Sequence, residues 1–125
     1  MGIKGVCRSF SYALEGLRYA YRTQRNIRIH TAVAAATLAA AWAGKFSRGE
    51  IILLLLTITL VVGAELVNTA IEVTVDLITP EYNRLARVAK NVAAAAVLVT
   101  AGNAVLVGIL LFGPRLLTIV QALWH

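Results

Sequence analysis

From Val92 to Phe112 the chain runs through 21 residues without a single charge. A helix of roughly 20 apolar residues is long enough to cross a bilayer. Hydrocarbon offers no water to backbone amides and carbonyls, so a single crossing segment satisfies them by forming a helix. Two more apolar segments precede it. Thr31 to Ala43 is alanine-rich and short, and it reaches spanning length when extended back through Ile27 and Ile29, with Arg28 and His30 snorkelling to the interface. Ile51 to Leu77 begins purely apolar and turns polar after Gly63. Composition agrees: 59% of the residues are hydrophobic and 14% charged, against about 25% charged in soluble domains. A soluble chain of 125 residues could not bury that much apolar surface.

The sequence therefore predicts an all-α integral membrane protein forming one domain over residues 1–125. It consists of an N-terminal amphipathic interfacial arm (1–28) and three transmembrane helices at about 29–44, 51–77 and 92–112. In the arm, Val6, Phe10, Ala13, Leu17, Ala20 and Tyr21 recur at helical spacing, while Arg8, Glu15, Arg18, Arg22 and Arg25 mostly take other faces. Such a helix lies in the membrane interface or docks on the protein itself. Gly44 to Gly49 reads as a turn, Thr79-Pro80-Glu81-Tyr82-Asn83 as the second link, and Gly113-Pro114 as the end of the third span. Cys7 is the one cysteine, so no intrachain disulfide forms, and no signal-peptide pattern is present.

The net charge is +6. The basic residues abut apolar spans, which points to an anionic membrane surface as partner and away from nucleic acid. Lys4, Arg8, Arg18, Arg22, Arg25 and Arg28 lie on the arm, and Arg84, Arg87 and Lys90 on the second link; Lys45, Arg48 and Arg115 fall on the other side. This asymmetry places the N terminus, the second link and the end of the second span in the cytoplasm.

Three of the six acids, Glu65, Glu72 and Asp76, lie within twelve residues of the second span, together with Asn68. At about 100° per residue the four share a narrow arc of one helix face. The stripe extends about 16 Å inward from the cytoplasmic end. Ionisable groups within a membrane persist where they face a cavity, a partner or a metal. On spacing alone two readings are open. In one the stripe pairs with the basic arm and fixes packing; in the other it forms a polar site in which carboxylates hold a divalent metal or act as a base. Lys90, Arg84 and Arg87 stand at the same membrane face, and cations, metal and base are the parts of phosphoryl transfer. No Gly-rich phosphate loop is present. His30 and the two tryptophans are read as interfacial residues, and Asn103 as bonded to a neighbouring helix.

Taken together these residues resemble the prokaryotic diacylglycerol kinase family, which includes undecaprenol kinases. The resemblance rests on Ala64-Glu65-Leu66-Val67-Asn68-Thr69-Ala70-Ile71-Glu72 with Val75-Asp76 downstream, and on Ala89-Lys90-Asn91 followed by the run Ala93 to Ala96. The arm adds Phe10, Tyr12, Gly16-Leu17 and Arg25-Asn26-Ile27-Arg28-Ile29-His30. The resemblance implies transfer of the γ-phosphate of ATP, with Mg²⁺, to a membrane lipid alcohol, diacylglycerol or undecaprenol. It implies a homotrimer with sites shared between subunits, in the bacterial inner membrane, with the N terminus and active site cytoplasmic. It assigns Glu65 as the base that meets the lipid substrate, Asn68 and Lys90 as catalytic, and Glu72 with Gln24 as metal ligands. Tyr12, Gln24, Glu72, Glu81, Tyr82, Asn83, Lys90 and Asn91 become the nucleotide site. Gln24 and Asn91 are amides where the family usually carries acids, which leaves Glu72 as the charged ligand of its pair and the phosphate site one acid short. A family member with reduced or lost activity, and a non-enzymatic ion or proton pathway on the same stripe, are the alternative readings.

Overall fold

The computed structural model describes residues 2–124, and among them every regular element is an α-helix. The order is α1 (Ile3–Thr23), α2 (Arg25–Ala43), α3 (Arg48–Ile78) and α4 (Arg84–Leu123). Helices α3 and α4 are long and apolar enough to cross a membrane. They run antiparallel from the link 79–83 and form the main interface, with α2 against α3 and α1 against both. At about 1.5 Å per residue, the 31-residue α3 and the 40-residue α4 exceed the hydrocarbon thickness of about 30 Å.

The hydroxyls in these helices are satisfied without water. Thr57, Thr59, Thr69 and Thr74 on α3 and Thr100 on α4 each donate to the carbonyl one turn earlier. The core of the single chain is thin. Leu54 and Val61 of α3 are buried with Ala93 and Val97 of α4, while Leu56, Leu60 and Leu110 stand exposed. Small α4 residues let the two backbones approach closely.

Four boundaries differ from the sequence expectation, the first being that α4 begins at Arg84, so Arg84, Arg87 and Lys90 stand on the helix and not on the link. The arm's helix was expected to continue to Arg28, yet it breaks at Gln24, which is extended at φ −102° and ψ 119°. The break needs neither glycine nor proline. It is held by tertiary contacts, since Ala20 and Ile27 on either side are buried and the Tyr21 hydroxyl bonds to that of Thr31 across the joint. The third span was expected to end at Gly113-Pro114, but α4 continues through Pro114 to Leu123. Proline removes one N–H donor, a loss a membrane helix can absorb where side chains re-satisfy the backbone. Here Arg115 Nη1 donates to the Leu111 carbonyl and Thr118 to that of Pro114. Helix α3 starts at Arg48, three residues before the apolar run, because Ser47 and Glu50 form a capping box: Ser47 Oγ accepts from the Glu50 amide and the Glu50 carboxylate accepts from the Ser47 amide.

Glu50 also closes the α2–α3 end of the bundle. Arg115 of α4 donates to both of its oxygens at 2.9 Å and lies over the Phe46 ring at 3.8 Å, which in turn contacts Phe112. A bidentate guanidinium–carboxylate pair has defined geometry as well as charge. Glu50→Gln and Arg115→Leu are each expected to lower the thermal midpoint in detergent, with a double-variant loss well below the sum of the two. Additive losses would show that the two side chains act separately.

Candidate functional site

Helix α3 gathers the acidic stripe as its spacing requires, and α2 and α4 wall it in. Glu65 is 2% exposed and Asn68 8% exposed, while Glu72 is half-buried and Asp76 is at the surface. Asn68 Nδ2 donates to Glu72 Oε1 at 3.2 Å, one turn along the helix. This bond orients the carboxylate and leaves its second oxygen available. Asn68 Oδ1 is buried and has no partner.

Glu65 and Asn68 line a crevice of about 360 Å³ whose other walls are Asn26, Ile29 and His30 of α2 and Ala94, Val97, Leu98 and Ala101 of α4. Through His30 and Ala101 it adjoins an apolar groove of about 540 Å³ that runs between the same three helices to Phe112. A polar head within a crevice and a thin apolar body along a groove describe an amphipathic alcohol.

A second cavity, of about 300 Å³, opens at the α3–α4 link. It brings together Glu81, Tyr82 and Asn83 with Lys90 and Asn91, and adds Asp76 and Arg87. Lys90 Nζ pairs with Asp76 Oδ1 across the two helices at 2.5 Å. The Asn83 side-chain oxygen accepts from the amides of Leu85 and Ala86, so it caps α4 and shapes the cavity wall. Lys90 lies one turn before Ala94 on α4, about 6 Å along the axis, so along this helix the cavity lies about one turn from the Glu65 crevice, with which it shares no lining residue. The order from the mouth inward is Lys90 and Asp76, then Glu72, then Asn68 and Glu65.

The arm residues stand apart from this cluster. Tyr12 is 63% exposed on α1 and lines none of the three cavities described. Gln24 occupies the α1–α2 break, with no hydrogen bond to Glu72 among the described residues. Among those residues no group of three His, Cys, Asp or Glu side chains could hold a metal by itself. Mg²⁺ keeps several waters and uses one or two carboxylates together with substrate phosphates. Glu72, one turn before Asp76 on α3 and with one oxygen not engaged by Asn68, fits that requirement.

Two residues gain a place that spacing did not give them. His30, read from sequence as interfacial, puts Nε2 3.2 Å from Glu65 Oε1. Asp76, without an assigned role on the stripe, is the partner of Lys90. The signal for the second is the short link, which sets Asp76 and Lys90 at equivalent depths on two antiparallel helices. No local signal joins His30 to Glu65.

Residues 11–112 match the sequence signature of prokaryotic diacylglycerol kinase. The chain is 46% identical over 112 residues to a diacylglycerol kinase of Synechocystis, covering 89% of this chain and 64% of that protein. It is 41% identical over 109 residues to an undecaprenol kinase of Bacillus subtilis, covering 87% and 89%. A diacylglycerol kinase of Pseudomonas aeruginosa is 32% identical over 95 residues, covering 76% and 77%. The chain thus spans just under two thirds of the Synechocystis relative.

The Lys90–Asp76 pair yields a direct expectation. In Asp76→Asn protein the Lys90 amine is released from its carboxylate and reacts faster with a water-soluble acylating reagent, measured by mass spectrometry. An unchanged rate would show that the pair does not hold Lys90 in solution.

Proposed function

The chain belongs to the prokaryotic diacylglycerol kinase family, and from that premise we propose that it transfers the γ-phosphate of ATP to the hydroxyl of a membrane lipid. The observation that carries this reading is the buried Glu65 carboxylate in a crevice that adjoins an apolar groove. A base with no water around it and a lipid-shaped path to it suit an alcohol that arrives from the bilayer. An ion pathway would have no use for the link cavity with its Lys90 and Arg87.

On this reading the lipid hydroxyl lies against Glu65. Its oxygen attacks the γ-phosphorus as its proton passes to the Glu65 carboxylate. The bond from phosphorus to the β–γ bridging oxygen breaks, and ADP carries that electron pair away. Lys90 and Arg87 bind the phosphates and offset the charge that gathers on them. Asn68 holds Glu72 in place. Glu72 would hold Mg²⁺ brought with ATP, and the ion would supply neutralisation of phosphate charge. Gln24 adds an uncharged oxygen at most.

Asn91 carries no charge, yet Asp76 and Glu81 still supply carboxylates to the cavity it lines. This favours a working phosphate site over a lost one. Tyr12 and Gln24 stand away from the cluster within one chain, and Asn103 is exposed mid-helix on α4 without a side-chain hydrogen bond among the described residues. Both features support a site and an interface completed by further copies of the chain, as a trimer would provide. Helix α2 would then be the third span, at about 28 Å for its 19 residues. The arm and the link would face the cytoplasm.

The test uses purified full-length protein in lipid nanodiscs with Mg²⁺ and γ-labelled ATP, offered diacylglycerol and undecaprenol separately. Label is expected in a phosphorylated lipid. Glu65→Gln is expected to reduce kcat by roughly 10²–10⁴-fold, the usual worth of a positioned base, while the protein stays folded. Full activity in Glu65→Gln protein would remove Glu65 as the base.

A further inference from the structure

We propose that His30 is the positioning residue for Glu65: its Nε2–H holds Oε1 and so presents the other carboxylate oxygen to the acceptor hydroxyl. The proposal rests on the lipid-kinase reading. Its first support is geometric. His30 Nε2 stands 3.2 Å from Glu65 Oε1, and that oxygen is sealed from solvent without a well-aligned hydrogen bond. A buried carboxylate oxygen without a donor loses its hydration with nothing in return, which is unfavourable. The contact is within reach but off-line, as catalytic hydrogen bonds often are before substrate binds.

The second support is elimination among the neighbours. One N–H of the Asn68 amide goes to Glu72, and no bond from Asn68 to the Glu65 carboxylate is formed among the described residues. The Thr69 hydroxyl donates to the backbone carbonyl of Glu65 and not to its carboxylate. The α4 wall is Ala94, Val97, Leu98 and Ala101, with no donor in any side chain. Asn26 lines the crevice one turn earlier on α2 and makes no hydrogen bond to Glu65 among the described residues. Against these, His30 Nε2 is the side-chain nitrogen that the described contacts place beside the carboxylate, at 3.2 Å from Oε1.

The third support is chemical. Lysine or arginine at this place would set a permanent cation against the carboxylate and make it a weaker base. An imidazole orients through an N–H and carries no permanent charge. His30 also lines both the crevice and the apolar groove, at the place where they join. An alcohol moving from groove to crevice passes the imidazole before it meets Glu65.

The test compares parent, His30→Leu and His30→Gln proteins as full chains in nanodiscs. Two readouts are taken: steady-state kinetics, and modification of Glu65 by dicyclohexylcarbodiimide followed by mass spectrometry. The second does not depend on kinase activity. His30→Leu is expected to lower kcat by about tenfold or more with little change in KM for MgATP, the pattern of a group that acts in the chemical step. It is expected to raise Glu65 modification, because removing the imidazole opens Oε1 to the reagent. His30→Gln keeps an N–H donor and should recover most of kcat and the parental modification rate. Parental kcat and modification in His30→Leu would overturn the proposal, as would a His30→Gln protein as slow as His30→Leu. If His30→Leu fails to fold, His30→Gln decides alone: near-parental values support a donor role, and a tenfold loss contradicts it. A parent protein inactive on every lipid would sink the kinase reading, while the modification rates would still test the His30–Glu65 contact.

Discussion

A polar atom placed in hydrocarbon must find its partner within the protein, and most of this structure follows from that constraint. Backbone groups meet it by forming helices. Threonine hydroxyls meet it by donating one turn back along their own helix. Asn68 meets it in part, giving its amide to Glu72 and leaving its oxygen without a donor. Glu65 meets it least, with one sealed oxygen and a bent contact from His30. The incompletely satisfied atoms therefore sit together in one crevice, against a groove that could admit a lipid. An apolar chain tolerates such an arrangement where a substrate supplies the missing partner.

The two ends of the bundle are built differently. At the α2–α3 turn a capping box, a bidentate Arg115–Glu50 pair and two stacked phenylalanines hold α3 against α4. At the α3–α4 link one ion pair, Asp76 with Lys90, spans an open cavity with neighbours that can meet phosphate. The first end is closed by side chains that satisfy one another. The second keeps cationic groups near the mouth of the stripe, where an anionic ligand could exchange with Asp76 for Lys90. Fold rigidity and ligand access are thus assigned to opposite ends of the same helix pair.

The sequence carried much of this because helical periodicity is local. The offsets of Glu65, Asn68, Glu72 and Asp76 placed them on one face, and α3 does put them there. The charge-free run predicted a long apolar helix, and α4 contains it. What could not be read were contacts between helices. His30 meets Glu65 from 35 positions away and Arg115 meets Glu50 from 65, and both depend on the register of one helix against another. Proline misled at position 114 because the stop signal belongs to helices in water, and Arg115 and Thr118 re-satisfy nearby carbonyls here. The break at Gln24 carried no glycine or proline to announce it. Tyr12 and Gln24 were tied to the site by family resemblance alone, and within one chain they lie outside the cluster.

The central claim is that the acceptor hydroxyl is received by Glu65 in the crevice between α2, α3 and α4. An experimental structure of the protein with a non-hydrolysable ATP analogue, Mg²⁺ and a lipid alcohol tests it most directly. The account predicts the hydroxyl oxygen within about 2.6–3.2 Å of a Glu65 carboxylate oxygen, the reach expected of a base and its proton. It also predicts the hydrocarbon chain along the groove from His30 towards Phe112 and the phosphates beside Lys90. A lipid alcohol bound elsewhere, with the crevice at Glu65 left to water alone, would contradict it.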